Sequence, residues 1–297
     1  MKLLVTGREG QLARGLAETA GAGVQVVAIG RPELDLADET SVAAAFARER
    51  PDVVVNAAAF TAVDRAETEP ALAHAVNALG AERVAAACAA SAIPIIHIST
   101  DYVFDGTKDG PYLEDDPTAP INVYGKTKLE GEQRVAKACD RHLILRTAWV
   151  HSPWGANFVK TMLRLAATGR TIGVVDDQRG SPTYAPHLAA IVLAIATRVA
   201  ADRAGTRWGI YHAVGGGETT WFGFAREVFR RAAERGLAAA DVSAIATAAY
   251  PTLARRPANS RLNCDRLRLS LGLELPDWQQ GVHDCVARIS TAMQGQS

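Results

Sequence analysis

The sequence predicts an α/β protein, a Rossmann-like doubly wound parallel sheet joined to a smaller C-terminal substrate-binding α/β domain. Three observations carry that expectation. Short apolar runs (Leu3-Leu4-Val5, Val24 to Ile29, Val53-Val54-Val55 and Ile93 to Ile98) alternate with stretches long enough for helices. The runs are continuously apolar, as in strands buried on both faces of a parallel sheet. A glycine turn, Gly7-x-x-Gly10, follows the first run directly, and beyond about residue 150 the alternation loosens. The expected division is 1–149 for a dinucleotide-binding domain, with 186–214 returning to it, and 150–185 plus 215–297 for the substrate domain.

Composition narrows the function classes. With 297 residues the chain can bury a large core, and 32 Lys+Arg against 32 Asp+Glu leave no field to recruit nucleic acid or an anionic membrane. No apolar run approaches the roughly 20 residues of a membrane span. The amino terminus, Met1-Lys2-Leu3-Leu4-Val5-Thr6, lacks the apolar region and cleavage site of a signal peptide. Cys88, Cys139, Cys264 and Cys285 are scattered, with no CxxC pair or His cluster, which predicts reduced thiols, a cytoplasmic protein and no zinc site.

Taken in order, Leu3 to Val5 is a buried strand and Thr6 to Ala13 a turn into a helix. Gly7 and Gly10 let backbone N–H groups and the helix start approach a diphosphate; Ala13 is small enough to pack helix on strand. Val24 to Ile29 is the second strand, closed by Gly30-Arg31-Pro32. An acid at this place accepts from the adenosine ribose, whereas an arginine accommodates a 2′-phosphate, so Arg31 favours NADPH over NADH unless it is a solvated turn residue. Asp35 and Leu36 lie where the adenine side would be clamped. Asp38 or Thr40 caps a helix through Phe46. After the third strand, Val53 to Asn56, the small residues Ala57, Ala58 and Ala59, with Thr61, suit the crevice at a strand's carboxyl end. An alanine-rich helix runs from about Pro70 to Ala90 and carries Asn77; the fourth strand, Ile93 to Ile98, ends in Ser99-Thr100-Asp101-Tyr102.

Tyr124 and Lys128 are four residues apart, so a helix sets them on one face, one turn from each other. An ammonium beside a phenol stabilises the phenolate and brings the phenol's ordinary pKa of roughly 10 towards neutrality. Thr100, a hydroxyl just past a strand, can hold a substrate oxygen against that phenol. Together the three make a proton-transfer site for a carbonyl or alcohol. The long loop Asp105 to Pro120 has the length of a binding loop or lid. The next strand, His142 to Thr147, leads to Trp149, a core filler or, favoured here, a wall for a ring-shaped ligand.

In the second half Asn157 to Leu165 is helical, Thr171 to Val175 a strand, and Pro186 begins a helix to Ala201. Gly209 to Val214 is a strand. Thr219 or Thr220 caps a helix with the apolar stripe Phe222, Ala225, Val228, Phe229 and Ala232. Arg255 and Arg256 either grip a diphosphate by bidentate hydrogen bonds or are solvated loop charges.

Gly7-x-x-Gly10-Gln11-Leu12, Asn56 to Ala59, Ser99-Thr-Asp-Tyr-Val-Phe104, Tyr124-Gly-Lys-Thr-Lys128 and Arg255-Arg-Pro-x-Asn-Ser-Arg-Leu262 together resemble the extended short-chain dehydrogenase/reductases, nearly end to end. The resemblance implies hydride delivery from NADPH or NADH to the C4 carbonyl of a nucleotide-linked deoxysugar. Tyr124 would be the general acid, Lys128 would hold the nicotinamide ribose, and Thr100 would bond the reacting oxygen. Gly10, Gln11, Leu12, Asp35, Leu36, Ala59, Thr61 and Asn77 would meet the dinucleotide; Asp101, Tyr102, Trp149, Asn157 and Arg256 would meet the substrate. Some members dimerise around a magnesium held by glutamates; the matching positions here are Gly15 and His187, so no structural metal is expected and monomer and homodimer both stay open.

Two other readings compete. A nucleotide-sugar dehydratase or epimerase shares the Thr, Tyr and Lys, but a dehydratase needs a second acid where Tyr102 stands. A non-catalytic regulatory subunit of a synthetase would have no use for the complete Thr100, Tyr124 and Lys128 set.

Overall fold

The protein, a computed structural model, is described over residues 1–201 and 205–294; residues 202–204 and 295–297, which fall in the segments expected to span 186–214 and 215–297, lie outside the described residues. The first half runs β1 (Lys2–Thr6), α1 (Gln11–Thr19), β2 (Gln25–Ile29), α2 (Glu39–Glu49), β3 (Val53–Asn56), α3 (Val63–Thr68), α4 (Pro70–His74), α5 (Gly80–Ala90), β4 (Ile95–Thr100), α6 (Val123–Ala138) and β5 (His142–Thr147). The second continues with β6 (Val150–His151), α7 (Phe158–Ala166), β7 (Ile172–Val175), β8 (Arg179–Gly180), β9 (Thr183–Tyr184), α8 (Ala185–Ala201), β10 (Gly209–His212), β11 (Thr219–Thr220), α9 (Trp221–Ala233), β12 (Val242–Ile245), α10 (Asp265–Leu271) and α11 (Trp278–Gln294).

Six strands form one parallel sheet in the order β10-β5-β4-β3-β1-β2. The chain builds outward from β1 to β2, then crosses back to β3, so a crevice opens between the carboxyl ends of β1 and β3. Leu3, Val5, Val53, Val55 and Ile96 face α1 and α8 on one side; Leu4, Val54, Ile95 and Ile144 face α2, α5 and α6 on the other. This two-sided burial is why the strands read as continuous apolar runs. β10 and α8, although late in the chain, belong to this layer: β10 extends the sheet beside β5, and α8 packs on α1, where Gly15 lies against the Ala185 carbonyl and the Ala189 methyl. A separate core gathers Val159, Met162, Phe224, Val228, Phe229, Trp278 and Val282 from α7, α9 and α11. Among the described residues no helix is long and apolar enough to cross a membrane, and all four cysteines are free thiols.

Local signals mostly act as written. The Asp38 side chain caps α2 by accepting from Thr40 N at 2.9 Å, and Thr220 caps α9 by accepting from Gly223 N at 3.0 Å. The expected helix from Pro70 to Ala90 is not a uniform α-helix: a π-helical turn, Ala75–Leu79, separates α4 from α5. That turn faces α6 at Gly131, where a Cβ would stand 2.2 Å from the Asn77 carbonyl oxygen. Any side chain larger than hydrogen at 131 drives the two helices apart. Gly131→Ala is therefore expected to destabilise the fold by about 2 kcal/mol or more, the cost of overpacking a tight contact, read as a lower urea midpoint at unchanged m-value. An unchanged midpoint would contradict the tight contact.

Candidate active site

The carboxyl ends of β1, β3, β4 and β5 open into one cleft of about 1000 Å³. Its floor at one end is the glycine turn. Gly7 has φ +89°, and a Cβ there would crowd Ala58 Cα at 3.1 Å, so the turn and the loop after β3 approach closely only because residue 7 is glycine. Gly10 stands at the N-cap of α1 with no side-chain cap, which leaves the first N–H groups of the helix free to meet an anion. Arg31, Asp35, Leu36, Ala57, Ala58, Ala59 and Thr61 line the same end. A glycine cradle, an uncapped helix start and a cation at the end of β2 together fit a phosphorylated dinucleotide.

At the other end α6 brings Tyr124 and Lys128 to the end of β4. The Asn122 side chain caps α6, accepting from Gly125 N at 2.7 Å and donating to the Arg255 carbonyl at 2.8 Å. Gly125 lets the helix sit against the Tyr102 carbonyl, where a Cβ would come within 2.2 Å. The Tyr124 and Tyr102 rings meet edge to face with centroids 5.8 Å apart. Lys128 is 2% exposed and its Nζ donates to the Ile98 carbonyl at 2.7 Å. Thr100 Oγ1 donates to Asp101 Oδ1 at 2.9 Å and accepts from Tyr102 N at 3.2 Å. Asp101 Oδ2 is buried and has no hydrogen-bond partner within the protein.

The electrostatics differ from the simple expectation that the ammonium draws the phenol down. Burial pushes the Tyr124 phenol up to about 12, with the Thr100 hydroxyl pulling the other way. Burial also pulls Lys128 down to about 8, while Glu132 one turn on raises it. Desolvation is the largest cause of both shifts in the ligand-free chain. Burial raises Asp101 to about 6, with the Ser260 and Thr100 hydroxyls pulling the other way.

Thr100, Asp101, Tyr102, Tyr124, Lys128 and Trp149 all line the cleft. Trp149 is both wall and filler: it stacks on Trp221 with ring centroids 3.6 Å apart and lies so close over Gly180 that a Cβ there would meet its ring at 2.5 Å. Three residues expected at ligands are committed within the protein. Asn77 is buried behind the cleft, accepting from Phe60 N at 2.7 Å and donating to the Phe60 carbonyl and to Thr127 Oγ1. Asn157 lines the cleft and caps α7, and its amide nitrogen donates to Gln11 Oε1, Ser152 O and Trp154 O, while Oδ1 accepts only from Lys160 N. Arg256 forms a fork with Asp64, at 2.8 Å for its shorter contact. Gln11 lines the cleft, but its amide bridges α1 to the Val150–Asn157 loop.

Sequence reasoning missed Arg8 and Trp221, which also line the cleft. Arg8 lies beside Arg31, donating to its carbonyl at 3.3 Å and to Glu33 at 3.1 Å. A basic residue inside the glycine turn was the available signal. Trp221 begins α9 directly after its cap, but its partner Trp149 is remote in sequence.

The model of the RmlD substrate binding domain family matches residues 1–291. The dTDP-4-dehydrorhamnose reductase of Sinorhizobium fredii strain NGR234 is 48% identical over 286 residues, 96% of this chain and 97% of that one. Among solved structures, the dTDP-4-dehydrorhamnose reductase of Clostridium acetobutylicum superposes with a TM-score of 0.89 at 36% identity, covering 97% of this chain and 99% of that one. That of Bacillus anthracis, solved in complex with NADP, gives 0.90 at 34% identity with the same coverage. Matched along nearly its whole length by the family model and by relatives of this similarity, the chain belongs to the RmlD substrate binding domain family.

Proposed function

We propose that the chain reduces the C4 keto group of dTDP-4-dehydro-L-rhamnose to the alcohol of dTDP-L-rhamnose, with NADPH as the reductant. The observation that carries this reading is one cleft with a phosphate cradle at one end and Thr100, Tyr124 and Lys128 at the other. NADPH supplies the hydride when bound. Gly7, Gly10 and the start of α1 hold its diphosphate, and Arg31 with Arg8 meets the 2′-phosphate; NADH, lacking that phosphate, binds more weakly. Trp149 and Trp221 form a flat wall for the deoxysugar, and the orphaned Asp101 Oδ2 accepts from a sugar hydroxyl.

The proton chemistry follows from the two displaced pKa values. A phenol pushed up to about 12 still carries its proton at neutral pH, as an acid must. An alkoxide forming at C4 is a stronger base than a phenolate, so Tyr124 gives that proton up, while Thr100, rotating its hydroxyl from Asp101, bonds the same oxygen. The phenolate is then reprotonated at the expense of Lys128, whose ammonium at about 8 is the stronger acid. Each transfer runs downhill in the direction of reduction.

Three outcomes test this. NADPH oxidation, followed at the nicotinamide absorbance with dTDP-4-dehydro-L-rhamnose, should proceed in the parent and fall about 10²- to 10⁴-fold in Tyr124→Phe, with cofactor affinity retained; an inert parent protein sinks the reading. Arg31→Ala should raise KM for NADPH about tenfold and leave KM for NADH unmoved, since only a 2′-phosphate needs the guanidinium. Equal changes for both cofactors would remove Arg31 from that role.

The third concerns Asp101. A carboxyl raised from 3.8 to about 6 binds more protons in the folded chain than in the unfolded one across that window. Folding stability from this group is therefore greatest at low pH and declines as pH rises from about 4 to 6. Two units correspond to about 3 kcal/mol at most. Asp101→Asn should make the ligand-free protein more stable than its parent by up to about 3 kcal/mol at pH 7 and equal to it near pH 4, in urea titrations at both pH values. A variant less stable at pH 7 would show that the ionised carboxylate is well accommodated.

A further inference from the structure

Three strands place a polar row beneath the active site. In the sheet register Thr6 pairs with Asn56 and Asn56 with His97, so their side chains stand side by side across β1, β3 and β4 on the face that α6 covers. All three are buried, His97 at 1% exposure. Ala58 N donates to Thr6 Oγ1 at 3.0 Å, and Thr6 Oγ1 donates to Asn56 Oδ1 at 2.7 Å. The Asn56 carbonyl is thereby taken up as acceptor, so its Nδ2, 3.1 Å from His97 Nδ1, is the donor in that contact. His97 Nδ1 must then be the bare nitrogen, and the single proton of the neutral ring sits on Nε2. Nε2 lies 3.5 Å from Lys128 Nζ.

An N–H aimed at an amine distinguishes that amine's two states. The ammonium has three protons and no lone pair, so it can only face His97 donor to donor. The neutral amine has a lone pair and accepts. We propose that His97 is a positioning residue whose Nε2–H, fixed by Thr6 and Asn56, bonds the neutral Lys128 amine left when the proton has passed to Tyr124. No proton leaves His97 in this step. The C4 alkoxide takes the phenol's proton, the phenolate takes one from the ammonium, and Lys128 recovers its own from water before the next turnover. This rests on the reduction set out above, whose alkaline limit it would adjust.

The surroundings leave His97 as the group free to act in this way. From its own helix Lys128 faces Tyr124 and Glu132; from β5, Arg146 is bound to both oxygens of Glu132, and His142 lies at the far end of the strand. Asp101, following β4, acts on Tyr124 rather than on the amine. On the outer side of α6, Glu130 and Arg134 are paired with His74 and Glu82. Burial and the neighbouring Lys128 keep His97 neutral, well below its ordinary pKa.

Two measurements test the inference on the protein saturated with NADP⁺. Side-chain ¹⁵N spectra, with the His97 ring assigned against His97→Gln, should show Nδ1 in the unprotonated range and Nε2 in the protonated range. The opposite tautomer overturns the proposal, whatever the enzyme turns over. In His97→Leu the alkaline limb of kcat/KM for NADPH oxidation should move up by about one pH unit, a tenfold change in proton concentration. A side chain that only fills space predicts the contrary: leucine leaves the amine in a drier pocket, and the limb stays or moves down, which also overturns the proposal. If His97→Leu does not fold, the ring measurement on the parent still decides. If the parent turns nothing over, the functional reading fails while the tautomer is still measured.

Discussion

The structure depends on burying one amine. Lys128 lies under the end of β4 with its charge out of water, and isolated burial of an ammonium is too costly to persist without partners. Its first partner is the Ile98 carbonyl, a backbone group of β4 one residue past the last pairing with β3. Its second is Glu132, whose own charge is answered by Arg146 and by Ser99 Oγ. Each partner recruits another: Arg146 reaches the Glu114 carbonyl and lies over the Phe104 ring. The result is a buried polar layer between α6 and the sheet that exists to hold one side chain one turn from Tyr124. Such a layer requires α6 to come unusually close, and Gly125 and Gly131 supply that by leaving nothing between the helix and the backbone of Tyr102 and Asn77.

The other end of the cleft follows the opposite logic. There the backbone is what an anion would meet, and the side chains are small enough to stay out of its way. Gly7 and Ala58 touch, the loop Ala57 to Ala59 keeps its surface flat, and the start of α1 is left uncapped. Capping α1 with Ser or Asp would stabilise an empty helix end while competing with an anion for the same N–H groups. An anion held there would use N–H groups that a side-chain cap would otherwise take.

What was legible in the sequence was what depends on short spacing. The sheet could be read because strands buried on both faces are apolar throughout, and Tyr124 with Lys128 because i, i+4 is fixed by helix geometry. The glycine turn was legible because it immediately follows β1. What was not legible depends on partners remote in the chain. Trp221 looks like the first residue of an ordinary helix until Trp149 is laid against it. Asn157 and Arg256 carry the right chemistry for ligands, but their contacts with Gln11 and Asp64, both far off in sequence, could not be read locally. The π-helical turn within Pro70 to Ala90 has no local signature, since it answers a glycine on another helix. His97 sits in an apolar strand, and only the register across three strands brings it beside Asn56 and Thr6.

The same site also indicates which chemistry it disfavours. Eliminating water from a sugar needs one group to remove a proton from carbon and another to protonate the leaving hydroxyl. Asp101, at about 6, can serve as one of these. The residue after it is Tyr102, whose phenol burial pushes well above its ordinary value, with the Asp101 charge adding to the effect. A phenol so reluctant to ionise cannot act as the base, and its backbone is pinned between Thr100 and Gly125. Ketone reduction needs a single proton delivered to a single oxygen, a need that Tyr124 alone would meet. One carboxylate, one proton-holding phenol and one weakly basic amine therefore suit the site to reduction and leave it short of the second acid–base group that dehydration requires.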